Sequence, residues 1–153
     1  MFNDFYLYRE GLSPAPSVLR VVEVLNNEIM SMVEALGAKP TMTYKTLCAY
    51  IDCLVKPRPI DHIGAAIKSR YVTEDVPYGL VPMSELGRKL GVATPLIDAF
   101  IEIAGAMNQE DYRTSGSGLK ALGLTELSKE QIIDLVEGGW QEECIRVRHQ
   151  VGH

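Results

Sequence analysis

The apolar positions in the first third of the chain fall on a helical period. Val18, Val22, Leu25, Ile29, Met32 and Leu36 are spaced 4-3-4-3-4, which lays one apolar seam along a helix of roughly 30 Å. Ser13, Pro14, Pro16 and Ser17 offer capping oxygens and prolines for its start, and Gly37 and Pro40 supply its end. The spacing therefore predicts a helix from about 16 to Leu36. A coiled coil needs three or four heptads with charged flanks and only about three heptads are present, so the seam is expected to pack inside a domain.

The pattern continues in short helical segments. Thr43 caps the next, in which Leu47, Tyr50, Ile51 and Leu54 share a face, and Lys56-Pro57-Arg58-Pro59 stops it. A short helix from about Asp61 to Ser69 follows. Residues 70 to 98 hold the densest set of turn signals. Thr73, Glu74, Asp75 and Pro77 predict a helix start, because short oxygen-bearing side chains cap orphan N–H groups and proline suits a first turn. Pro82 removes an N–H from that helix and predicts a kink or break. Gly91 ends the second piece, and Thr94-Pro95 opens a helix to about Asn108, with Ile97, Phe100, Ile101, Ala104 and Met107 on its apolar face. Residues 109–118 are expected as a polar loop. Ser128-Lys-Glu-Gln131 has capping-box spacing, and Ile132, Leu135 and Val136 form the apolar side of a last helix ending at Gly138-Gly139. No stretch alternates convincingly and no Asn-Gly hairpin signal occurs, so the expected fold class is all-α.

Composition narrows the function more than the fold. A chain of 153 residues with 46% hydrophobic positions is one domain by length and large enough for a substantial core. No apolar run approaches the roughly 18 residues of a membrane span, and the start Met-Phe-Asn-Asp-Phe-Tyr lacks the basic and apolar regions of a signal peptide. A cytoplasmic protein with no membrane partner is expected. The net charge is −5 and Lys and Arg do not cluster, which argues against nucleic acid. Three cysteines are present; Cys48 and Cys53, five apart on a predicted helix, diverge too far to bridge, so reduced thiols are expected.

Candidate chemistry is sparse. Asp75 sits where capping and the helix dipole already favour an acid, and Arg70 stands on the other side of the same turn. His149 and His153 have the i, i+4 spacing of a metal pair with Cys144 near, but Gly152 weakens a helix there and no third ligand is suitably spaced, so no metal site is expected. Gly116-Ser-Gly118-Leu-Lys-Ala121 matches the dinucleotide pattern G-x-G-x-x-A, yet Gln109 to Ser115 does not read as the strand that must precede it. No cofactor-binding residue is assigned.

The run Arg70-Tyr-Val-Thr-Glu-Asp75-Val-Pro-Tyr-Gly-Leu80, followed by Gly91-Val-Ala-Thr-Pro95 and Asp98, resembles the C-terminal domain of the octopine/nopaline (opine) dehydrogenases. Phe5-Tyr-Leu-Tyr8-Arg-Glu-Gly11 resembles that domain's start, and Leu119-Lys-Ala-Leu-Gly-Leu124 its closing motif. The Gly-Ser-Gly at 116–118 departs from the Gly-Arg-Thr usual there.

The resemblance implies a multi-helix domain of the 6-phosphogluconate dehydrogenase C-terminal-like kind over 1–139, with 140–153 as a tail. It implies a role in an NAD- or NADP-dependent oxidoreductase that reduces the imine formed from an α-keto acid and an amino acid. The dinucleotide would be held by a Rossmann half outside this chain, fused or separate, with Met1 interior to a longer parent sequence. Arg70 would then help bind the keto acid, and Asp75 would be the catalytic-support carboxylate that partners a histidine upstream. The 153-residue chain alone is expected to be inactive and, with its aromatic start uncovered, to form a homodimer. A helical binding or oligomerisation module that has lost the chemistry is the alternative.

Overall fold

The structure, a computed structural model, describes residues 16–39 and 68–138. The expected helices from Thr43 to Leu54 and from Asp61 to Ser69, the aromatic start, the tail, and every cysteine and histidine lie outside these residues, apart from Lys68 and Ser69. The described residues contain helices and turns and no strand.

Helix α1 runs Pro16–Ala35. Gly37 closes it at φ 73°, with its N–H on the Glu34 carbonyl at 2.8 Å and the Ala38 N–H on Val33 at 3.1 Å, so a residue without a Cβ takes the left-handed turn that satisfies the last carbonyls. The seam engages the core from its middle onward. Val22 is 41% exposed, Leu25 and Ile29 are half-buried and Met32 is buried.

The segment from 70 to 90 differs from expectation. Helix starts at Arg70, in α2 (Arg70–Thr73), before the predicted capping residues. Thr73 accordingly does not cap; its hydroxyl donates back to the Ser69 carbonyl at 3.2 Å. Helical bonding continues through Glu74 N–H to Arg70 and Tyr78 N–H to Glu74, at 2.9 and 3.0 Å. A π-helical turn, Val76–Leu80, then leads directly into α3, Val81–Leu90.

Pro82 therefore causes no break. The wider π turn, closed by Val81 N–H on the Val76 carbonyl, absorbs it within the first residues of α3. The next bond of that ladder would run from residue 82 to the Pro77 carbonyl, and proline has no N–H to make it. Ser117 N–H takes the Pro77 oxygen instead, at 3.0 Å.

Gly91, at φ 70°, ends α3, and α4 runs Pro95–Asn108. Thr94 precedes it without a side-chain capping bond. Its first turn is closed from afar by Glu28 of α1, whose two carboxylate oxygens accept Leu96 N–H at 2.7 Å and Ile97 N–H at 3.0 Å. Glu28 is buried, and an acidic group at a helix N-terminus meets both the orphan donors and the dipole.

Within the expected loop, Asp111 caps a short helix α5, Tyr112–Ser115. The Ser128 box forms as its spacing predicts: Gln131 Oε1 accepts Ser128 N–H at 2.7 Å and Ser128 Oγ accepts Gln131 N–H at 3.2 Å. It opens α6, Lys129–Gly138, on which Ile132 is buried and Val136 is exposed.

The core brings together Met32 of α1, Val76 of the π turn, Val81 of α3, Ile97, Ile101 and Ala104 of α4, and Tyr112 of α5. Val81 and Ile97 are fully enclosed. Among the described residues, no helix is long and apolar enough to cross a membrane.

Candidate functional site

Arg70 and Asp75 occur on one continuous helical run whose inner side is fixed by burial of Val76 and Pro77 and partial burial of Val72. Arg70 extends to Glu74, one turn on, with Nη2 3.4 Å from Oε2, and both side chains are largely exposed. Asp75 is exposed and makes no capping bond to the turn it precedes. Five residues of α-helix turn two positions about 140° apart, so Arg70 and Asp75 do not share one helical face. Tyr71 and Tyr78, on the same run, are 54% and 61% exposed.

A second polar group lies between α3, α4 and α5. The Arg113 guanidinium donates from Nε to Glu102 at 2.9 Å, from Nη2 to Asp98 at 2.8 Å and from Nη1 to Ser84 Oγ at 3.1 Å. Ser84, fully buried, donates to the same Asp98 oxygen at 2.6 Å. Burial works to raise the Asp98 pKa, but the Ser84 hydrogen bond and the Arg113 guanidinium outweigh it and hold the carboxyl below its usual range. Hydrogen bonds to Asp98 and Glu102 raise Arg113 in turn. Each nitrogen of the fork is engaged, so this cluster acts as a tie between elements rather than an open anion receptor.

Sequence reasoning named Asp98 only as part of the family-like run and missed Ser84 and Arg113, because a serine inside a helix and an arginine in a polar stretch carry no local signal of a shared partner. The Gly116-Ser-Gly118 stretch follows α5 rather than a strand. A Cβ at Gly116 would stand 2.6 Å from the Pro77 carbonyl oxygen, and one at Gly118 would collide with the Glu85 carboxylate. Glu85 accepts Leu119 N–H at 2.6 Å beside it. These glycines allow the loop to dock on the π turn and α3. This loop is therefore not the phosphate turn of a dinucleotide site, and among the described residues no group of His, Cys, Asp and Glu is arranged to hold a metal ion.

Residues 1–108 match the family model for the NAD/NADP octopine/nopaline dehydrogenase alpha-helical domain. The chain belongs to this family. It is 45% identical over 146 residues to the opine dehydrogenase of Arthrobacter sp. (strain 1C), a match covering 88% of this chain and 40% of the relative. It is 25% identical over 155 residues to protein ocs of Agrobacterium tumefaciens (strain Ach5), covering 84% of this chain and 41% of the relative. The chain thus spans about two-fifths of the length of the relatives it matches. The helical structure agrees with the octopine/nopaline dehydrogenase alpha-helical domain, and the matched range includes the whole Arg70 to Asp98 stretch.

Proposed function

We propose that this chain is the substrate-binding and catalytic-support domain of an opine dehydrogenase-like oxidoreductase, working in the cytoplasm as a homodimer. The observation that carries this reading is the family match across Arg70–Asp98, in which both candidate polar residues are exposed on a helical run anchored in the core. In this reading, an α-keto acid and an amino acid condense with loss of water to an imine. NADH or NADPH, bound by a Rossmann segment fused to or associated with this domain, supplies the hydride that reduces it.

Arg70 holds the keto acid carboxylate, since a guanidinium fork matches a carboxylate in two bonds and can exchange Glu74 for a ligand. Asp75 fixes the tautomer of a histidine presented by the Rossmann segment and favours its charged form. Its lack of a capping bond to its own helix leaves the carboxylate oxygens available for that work.

The test is a hybrid in which this chain replaces the matching segment of the Arthrobacter opine dehydrogenase. The hybrid should oxidise NADH or NADPH only when keto acid and amino acid are both supplied, and Asp75→Asn should abolish the rate. The 153-residue chain by itself should show no turnover. A folded hybrid without dual-substrate turnover contradicts the reading.

A further inference from the structure

Between α3 and the turn that follows Gly118 lies an open cleft of about 370 Å³, lined by Glu85, Arg88, Lys89, Leu119, Lys120 and Thr125. Its volume is at the lower end of the range of small-molecule sites. Two bonds hold its walls together. Leu119 N–H donates to Glu85 at 2.6 Å, and Lys89 Nζ donates to the Thr125 carbonyl at 2.7 Å. The Leu119–Leu124 segment, to which the reading above gives no task, thus forms one wall, and α3 forms the other.

The charge in this cleft runs against that of the chain. Three of the lining side chains are cationic and one is anionic, a surplus of two positive charges in a chain of net charge −5. Glu85 and Lys89 are engaged by the two wall bonds. Arg88 and Lys120 are exposed, and among the described residues their side chains make no hydrogen bond or ion pair. Arg88 acts on Asp98 through its field alone. The Thr125 hydroxyl also has no partner among the described residues. Arg88 and Lys89 stand in the last turn of α3, where cations suit the helix dipole. Lys120 lies on the facing turn, outside any α-helix, so the dipole accounts for only part of the surplus.

This combination selects among ligands. A cation would meet excess positive charge, and an apolar molecule would find Leu119 as its one apolar side chain. An oxyanion finds a guanidinium fork, an ammonium and a hydroxyl, all three without a competing partner, and this donor set suits a phosphate. We propose that the cleft binds a phosphate group through Arg88, Lys120 and Thr125, by side chains rather than by a glycine-rich turn. Free phosphate and the phosphate of a nucleotide share this chemistry. The proposal does not depend on the dehydrogenase reading.

The experiment uses the 153-residue chain and follows the Lys120 and Thr125 amide signals by NMR. Sodium phosphate is titrated against sodium chloride at equal ionic strength, and saturable shifts at both amides with phosphate alone are expected. Arg88→Gln and Lys120→Gln should each weaken binding by roughly two- to fivefold, the range of an exposed charge pair. Lys129→Gln, outside the cleft, should leave it unchanged. Lys120→Gln, on an exposed turn, decides the matter if the Arg88 change disturbs Asp98. Absence of a phosphate-specific shift, or unchanged binding in a folded Lys120→Gln variant, overturns the proposal.

Adenosine 5′-monophosphate and adenosine distinguish the two sources. Tighter binding of the nucleotide than of phosphate, with none of adenosine, assigns the cleft to a nucleotide phosphate, and equal binding assigns it to the free ion. Adenosine binding as tightly as its phosphate overturns recognition of the phosphate group.

Discussion

The carboxylate of Glu28 and the backbone N–H of Ile97 meet at 3.0 Å across 69 positions of sequence. The same carboxylate takes Leu96 N–H at 2.7 Å, so the start of α4 is capped by α1 and the two helices cannot separate without exposing or orphaning these donors. Glu28→Ala should destabilise the chain by about 1–3 kcal/mol, the cost of leaving buried polar groups unmatched. Glu28→Gln should cost a similar amount, because its amide group brings a donor towards donors. Urea unfolding of each variant followed by circular dichroism measures both.

The tie around Arg113 gives a pH dependence. Asp98 ordinarily titrates near 3.8 and is held lower in the folded chain, chiefly by Ser84 and Arg113 acting against burial. Its contribution to stability is therefore fully present above the unfolded value and is lost as pH falls through the lower folded value. Asp98→Asn should lower the urea midpoint at pH 7, and the gap between variant and parent should narrow below about pH 4. A gap of constant size between pH 7 and pH 3 would contradict this.

Two glycines should respond oppositely to alanine. At Gly116 a Cβ would lie 2.5 Å from the Tyr112 carbonyl oxygen and 2.6 Å from that of Pro77. Both are backbone atoms with little freedom to yield, so Gly116→Ala should cost about 1–3 kcal/mol. At Gly79 a Cβ would have open space within 4 Å, and the residue lies in the helical π turn. Gly79→Ala should stabilise by about 0.4–1 kcal/mol through the unfolded chain. Paired thermal melts decide both signs.

In the hybrid enzyme, Arg70→Ala should raise KM for the keto acid by roughly tenfold or more, the scale of a charge-assisted hydrogen bond lost from a substrate carboxylate. Arg70→Lys should recover only part of it, since an ammonium keeps the charge without the fork. Steady-state kinetics with each substrate varied in turn separates a keto-acid effect from an amino-acid effect.

Features written within a few residues of each other were legible. The α1 seam, the Gly91 stop, the Pro95 start and the Ser128 box are local statements about period, φ and capping, and each appears where its residues stand. What escaped depends on partners distant in sequence. Thr94 is a good cap by type, yet Glu28 serves the α4 donors, and nothing between the two residues announces it. Pro82 is a helix breaker by rule, yet a π turn and the Ser117 N–H absorb its missing donor. At the candidate site, Arg70 and Asp75 were legible through the resemblance, while their separation around the axis follows from helix starting at Arg70 itself rather than after Asp75.

The π turn makes chain length a structural variable. A single-residue deletion within Val76–Leu80 would let the run close as an ordinary α-helix and so tidy its bonding. Because the π turn already spreads its extra residue over one wider turn, the upstream run would keep nearly its present orientation relative to α3. The surplus residue is thus carried by the run itself, at the turn where Pro82 brings no N–H and Ser117 takes the Pro77 oxygen instead.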